Sequence, residues 1–243
     1  MENEMRKICP TCKRTYTELE NYCTKCGIEL VKEPNFRSEM KYIIMCCGKY
    51  QRWSTPRQLI EIDGEPIAAR TIRLLRENGV EDIAISSNHD AFKELGVPVL
   101  RHKNNYNAEG YNNFTGRWCD AFYPTDEPTC YIFGDVIFTP EAIRTIVNTD
   151  TDDIEFFASA PPFAREYKKP WAEPFALKVR DTDHLKRAIE LTNRYAEQGR
   201  FRRKPIMWEL WQVIKGTPLN HINYSNYKVI NDSTCDIDDP EDV

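Results

Sequence analysis

An α/β fold built on a mostly parallel sheet, carrying a small N-terminal appendage, is predicted by three observations. Beyond residue 40, short apolar runs that suit strands alternate with stretches of helical period. Several of those runs, such as Tyr42-Ile43-Ile44-Met45 and Ile83-Ala84-Ile85, are apolar at successive positions, as strands covered on both faces require. Before residue 33, two C-x-x-C pairs stand ten residues apart in a stretch too short to build its own core.

The N-terminal unit is assigned residues 1–32. Cys9-Pro10-Thr11-Cys12 and Cys23-Thr24-Lys25-Cys26-Gly27 each present two thiols in a tight turn, and together they offer the four ligands of a tetrahedral structural zinc site. Tyr16, Tyr22 and Leu30 are expected to cover it. The unit is similar to the short zinc ribbons and is expected to serve as a stabilising module or as a docking face for a protein partner. The other five cysteines (Cys46, Cys47, Cys119, Cys130 and Cys235) are scattered and read as packing residues. Residues 33–39 are polar, contain Pro34 and break periodicity, as a linker does.

From residue 40 to 243 the elements follow in order. Tyr42 to Met45 is the first strand. Leu59 to Ile62 reads as a short strand closed at Asp63-Gly64, after which Pro66 opens a helix with Ile67, Thr71, Leu74 and Leu75 on one face. Gly79 ends that helix, and Asp82 to Ser86 is the next strand. A short helix at Ala91 to Leu95 leads to a strand at Val97 to Leu100. Tyr131-Ile132-Phe133 is a strand, and Pro140 starts a helix reaching Val147. Ile154 to Ala158 and Phe175 to Val179 are strands, followed by helices at Asp183 to Gln198 and Pro205 to Ile214. Trp171, Trp208 and Trp211 read as core, and the basic run Arg200 to Lys204 as a solvated loop.

Composition excludes several classes of function. A formal net charge of −5 argues against a nucleic-acid binder held by a basic surface. No run approaches the roughly 18 apolar residues of a membrane span, and the acidic start lacks an apolar signal region. A cytoplasmic protein is the expectation.

Three separated pieces point to one site at the carboxyl ends of the strands, where open α/β sheets bind ligands. The first is Cys46-Cys47-Gly48-Lys49-Tyr50-Gln51-Arg52, extended by Thr55-Pro56-Arg57-Gln58-Leu59. A glycine loop with Lys49, Arg52 and Arg57 beside it suits phosphate. The second is Gly134-Asp135, a carboxylate at a strand tip. The third is Asp236-Ile237-Asp238, whose two acids face the same way along an extended segment. Carboxylates gathered from distant segments, beside a phosphate-binding loop, indicate Mg²⁺ with a nucleoside triphosphate.

These motifs resemble the nucleotide-sugar pyrophosphorylase, or sugar-phosphate and choline-phosphate nucleotidyltransferase, family. Its A-A-G-x-G-x-R and P-K-x-L segments correspond to Cys46 to Arg52 and Pro56 to Leu59, with cysteines for both alanines, Tyr50 for the second glycine and Arg57 for the lysine. Ile62-Asp63-Gly64-Glu65-Pro66-Ile67 matches its I-x-G-x-P segment, and Asp238-Asp239-Pro240-Glu241-Asp242 matches its D-x-P-E-D.

The resemblance implies a Rossmann-like sheet of the nucleotide-diphospho-sugar transferase type. It implies transfer of NMP from an NTP, with CTP or UTP favoured, to a phosphorylated small molecule such as a sugar phosphate or phosphocholine, with release of pyrophosphate. Arg52, Arg57, Asp135 and Asp238 are implied as catalytic. Cys46, Cys47, Gly48, Lys49, Arg52 and Ser87 are implied at the nucleotide, and Asp135, Asp238 and Asp236 at Mg²⁺. Glu173 and Lys178 stand where such folds line the acceptor pocket. A glycosyltransferase of the same fold using the D-x-D at Asp236, and a non-catalytic nucleotide-binding adaptor, are the alternatives.

Overall fold

The computed structural model describes residues 7–9, 11, 14–16, 20–32, 40–47, 55–101, 118–160 and 171–237. The chain falls into two compact units, Met1–Glu39 and Met40–Val243. The first holds a three-stranded antiparallel sheet of β1 (Lys7–Ile8), β2 (Thr15–Tyr16) and β3 (Val31–Lys32), with β1 in the centre. Its apolar cluster is small: Cys9, Cys23 and Leu30 are buried, with Tyr16 and Cys26 packed against them. Tyr22, expected over this site, is instead 63% exposed.

The second unit is built on a seven-stranded sheet. Its strands are β4 (Lys41–Met45), β7 (Ile83–Ser86), β8 (Val99–Leu100), β9 (Thr129–Phe133), β11 (Ile154–Ser159), β12 (Pro174–Val179) and β13 (Lys228–Ile230). Short ribbons pair β5 (Glu61–Ile62) with β6 (Glu65–Pro66), and β10 (Val136–Ile137) with β14 (Cys235–Asp236). The spatial order is β13-β11-β12-β9-β4-β7-β8. Every neighbouring pair is parallel except the two made by β12, which runs against both β11 and β9. The carboxyl ends of six strands and the start of β12 therefore meet along one rim.

The helices are α1 (Ile67–Glu77), α2 (Pro140–Asn148), α3 (Thr182–Glu197) and α4 (Met207–Ile214). They pair as α1 on α2 and α3 on α4. α1 buries one stripe, Ile67, Ala68, Thr71, Ile72, Leu74 and Leu75, whereas α4 is buried on nearly all sides. Tyr42 to Met45 are buried without alternation, so both faces of β4 are covered. The Thr139 hydroxyl accepts from Ala142 N–H to cap α2, and Pro140 occupies the first helical position. Asp181 caps α3 in the same way through His184 N–H.

Several boundaries differ from expectation. Arg57–Leu59 forms a 3₁₀ turn, and the strand begins only at Glu61. Pro66 belongs to β6 and precedes the first helical residue rather than occupying it. Asp90–Leu95 is a 3₁₀ helix with Gly96 in the left-handed region behind it, and β8 shrinks to two residues. Trp208 and Trp211 are core, but Trp171 is 46% exposed.

The scattered cysteines follow the packing expectation. Cys46, Cys119, Cys130 and Cys235 are buried thiols outside any disulfide. Burial pushes the Cys130 thiol up to about 12 and also raises Cys46 and Cys119, so all three stay protonated at neutral pH.

Candidate active site

The rim of the sheet assembles the site. β4 and β9 are adjacent and in register, with Met45 beside Phe133, so the residues that follow each strand emerge together. Gly134 N–H donates to the Met45 carbonyl at 3.0 Å. A methyl group on Gly134 would stand 2.7 Å from the Met45 carbonyl oxygen and 2.8 Å from Cys46 Sγ, so this contact requires glycine. That close approach delivers Asp135 directly beyond the end of β4.

Asp135 forms an ion pair with Arg57, supplied by the 3₁₀ turn Arg57–Leu59. The two side chains are only 18% and 19% exposed. A residue 78 positions away in the sequence thus places its guanidinium on the strand-tip carboxylate.

Gln58, next to Arg57, is wholly buried, and neither its amide oxygen nor its amide nitrogen has a hydrogen-bond partner among the described residues. An orphaned buried amide costs about 1–3 kcal/mol until something pairs with it. In the sequence, Gln58 is marked only by its position between the motif residues Arg57 and Leu59.

The third piece arrives through β14. Val136 faces Asp236, Ile137 faces Cys235, and Ile237 N–H donates to the Asp135 carbonyl at 2.8 Å. Asp236 is therefore held one residue from Asp135 across a two-strand ribbon. Its N–H donates to Glu173 Oε2 at 3.3 Å. Glu173 is 1% exposed and stands at the start of β12, on the same rim as Ser159.

Lys178 does not share that rim. β12 runs antiparallel, so Lys178 sits beside Cys130 at the opposite end of the sheet. Its ammonium, 4% exposed, donates to the Val147 and Thr149 carbonyls at 3.1 and 2.7 Å, closing the carboxyl end of α2. Lys178 is a structural cap and lines no pocket on the rim. Lys178→Met is expected to lower stability by about 1–3 kcal/mol through the abandoned carbonyls. Thermal denaturation checks this, with turnover below the transition unchanged.

The remaining expected residues divide clearly. Cys46 turns inward with its N–H on the Ser86 carbonyl at 3.0 Å, while Cys47 is half-buried at the rim. Ser87 is buried at the end of β7, and its hydroxyl accepts from His89 N–H at 3.2 Å. Gly48, Lys49, Tyr50, Arg52, Cys12 and Asp238 lie outside the described residues. In the basic run, Arg203 is engaged by the buried Glu209 at 2.6 Å, and Arg200 stacks 3.8 Å from the Tyr195 ring centroid.

In the N-terminal unit the sulfurs of Cys9, Cys23 and Cys26 lie within 4.8 Å of one another. Cys26 N–H donates to Cys23 Sγ at 3.3 Å, and Gly27, at φ 66°, turns the chain behind it. Tetrahedral ligation places sulfurs about 3.8 Å apart. The arrangement fits three corners of a zinc site.

A mostly parallel sheet with a strand-tip carboxylate facing a cationic turn, and a returning acidic strand beside it, defines a fold of the nucleotide-diphospho-sugar transferase type. A family model for the MobA-like NTP transferase domain matches residues 42–197, and the chain belongs to that family. Among solved structures, it is similar to the inositol-1-phosphate CTP transferase from T. maritima, with 15% identity, a TM-score of 0.51, and coverage of 85% of this chain and 92% of that one. A protein from Mycobacterium tuberculosis H37Rv aligns at 13% identity and TM-score 0.50, over 85% of this chain and 96% of that one. The CTP:phosphocholine cytidylyltransferase of Streptococcus pneumoniae aligns at 17% identity and TM-score 0.46, over 84% and 96%. No curated protein sequence matches the chain.

Proposed function

We propose that this protein is a magnesium-dependent nucleotidyltransferase that moves NMP from CTP or UTP to a phosphorylated small molecule, such as a sugar phosphate or phosphocholine. The observation that carries the reading is the meeting of Arg57, Asp135 and Asp236 on one rim of an NTP-transferase-family sheet. A phosphate oxygen of the acceptor attacks the α-phosphorus in line, a new P–O bond forms, and the bond to the β-phosphate breaks to release pyrophosphate.

The chain's work in this reaction is to position reactants and to meet charge. Arg57, with Arg52 and Lys49, binds the triphosphate and the developing charge on pyrophosphate. The backbone from Cys46 to Gly48 lies along the phosphates, Ser87 stands at the base-binding end of β7, and the orphaned Gln58 amide gains its partner from the nucleotide. Asp135, Asp236 and Asp238 are the residues that would hold Mg²⁺, which supplies charge neutralisation at the triphosphate. The donors present suit it: one partly buried carboxylate at a strand tip and a second one residue away across a ribbon. Glu173 and the exposed Trp171 mark the acceptor side.

The N-terminal unit is read as a zinc ribbon on Cys9, Cys12, Cys23 and Cys26, a stabilising or partner-docking module joined by residues 33–39 to the transferase domain. No helix among the described residues is long and apolar enough to cross a membrane; a cytoplasmic setting is proposed. The test is pyrophosphate release from each of four NTPs with a panel of phosphorylated acceptors. Release with CTP or UTP and one acceptor class supports the reading. Nucleotide binding without release, or consumption of nucleotide sugars instead, overturns it.

A further inference from the structure

We infer that Asp232, Thr139 and Thr234 form a clasp that positions the Asp236 segment against Asp135, making Asp232 a positioning residue for the carboxylate pair. The inference deepens the proposed function and rests on that reading of the rim.

The segment needs such a device. β10 and β14 are two residues each, and a ribbon that short has little stability of its own. Yet the geometry of the rim depends on it, because this ribbon sets the distance between Asp135 and Asp236. Asp232 supplies what the ribbon lacks, and uses both carboxylate oxygens to do so. Oδ1 accepts from Thr234 N–H at 2.8 Å, an Asx-type turn that bends the chain into β14. Oδ2 accepts from the Thr139 hydroxyl at 2.5 Å, reaching 93 residues back along the chain.

Thr139 completes the link from the other side. Its N–H donates to Thr234 Oγ1 at 3.2 Å, and its own Oγ1 accepts from Ala142 N–H to cap α2. Thr234 is buried, so this part of the network is shielded from water. One carboxylate therefore ties β14 to the amino end of α2, where negative charge is also favoured by the helix dipole. Glu173 Oε2 on Asp236 N–H and the Asp135 carbonyl on Ile237 N–H secure the far end. Asp232 itself is exposed and lies outside the proposed ligand set.

The test compares Asp232→Ala and Asp232→Asn with the wild-type full chain, using two readouts. The first is amide hydrogen exchange over residues 235–237. Asp232→Ala is expected to speed it about tenfold or more, with β4, β9 and β11 unchanged. Asp232→Asn, which keeps an acceptor for Thr234 N–H, is expected to recover part of the protection. The second is the Mg²⁺ concentration giving half-maximal pyrophosphate release. It is expected to rise about 10–100-fold in Asp232→Ala, as for other groups that orient metal ligands, with kcat at saturating Mg²⁺ little changed.

Unchanged exchange over 235–237, or exchange speeded equally across the whole sheet, overturns the clasp. So does a fall in kcat with no change in Mg²⁺ dependence. Local loosening in a protein whose wild type releases no pyrophosphate supports the clasp and overturns the transfer reading instead.

Discussion

Asp135→Ala is expected to lower pyrophosphate release by about 10³-fold or more while leaving the cooperative thermal transition in place. The two halves of that expectation come from different physics. The carboxylate faces Arg57 in a pair that is about one-fifth exposed on each side. Losing such a partly hydrated pair costs on the order of 1 kcal/mol of stability, because the freed guanidinium can still reach water. The fold is otherwise untouched, since the contact that locks β9 to β4 is made by Gly134, not by Asp135. Activity is a separate matter, because charge on a transferring phosphoryl group must be met by preorganised charge. Removing one preorganised group commonly costs about 10²–10³-fold, and removing the proposed metal ligand as well raises that figure. Asp135→Asn separates shape from charge: it preserves volume and one acceptor oxygen, and is expected to be nearly as inactive as the alanine variant. Steady-state pyrophosphate release beside thermal denaturation makes the measurement. Full turnover by either variant sinks the assignment of Asp135.

The sheet was legible because buried strands leave an unambiguous mark. Ile43, Ile44, Ile85 and Ile132 are all fully buried, and runs such as theirs have few other uses in so charged a chain. Gly134-Asp135 was legible as well, since a carboxylate that ends an apolar strand must lie at the rim of the sheet.

The polarity of β12 was not legible. Glu173 and Lys178 flank one apolar run, and at about 3.3 Å per residue they stand roughly 16 Å apart. A parallel and an antiparallel strand present the same letters, but they send opposite ends to the rim. The antiparallel pairing sends Glu173 to the site and Lys178 to the cap of α2. Asp232 and Thr139 show a related limit. Each is an ordinary turn or cap residue in its local sequence, and its meaning comes from a partner 93 positions away. Trp171 failed in the other direction: hydrophobicity argued for burial, and its place beside the rim left it exposed.

The second large effect concerns the N-terminal unit, where Cys23→Ala is expected to abolish both metal content and structure. The reason is arithmetic on a very small core. Cys9, Cys23 and Leu30 are its buried apolar residues among those described, and two of the three are proposed ligands. At about 25 cal/mol per Å² of apolar surface, so few side chains fall well short of the entropy of ordering some thirty residues. A bound zinc contributes about 10–16 kcal/mol in units of this kind, which reverses the balance. The purified chain is therefore expected to carry one equivalent of zinc, lost in Cys23→Ala and in a Cys12→Ala variant that tests the fourth corner. Acidification acts with the same sign, because protons compete with the metal for the sulfurs and the stabilisation disappears as pH falls. Metal analysis combined with limited proteolysis of residues 1–39 gives the readout. The transferase unit has its own extensive core and is expected to keep its thermal transition when zinc is stripped by a chelator. A chain that purifies without zinc, or a Cys23→Ala protein whose N-terminal unit resists protease as the wild type does, would show that these three gathered sulfurs are packing alone.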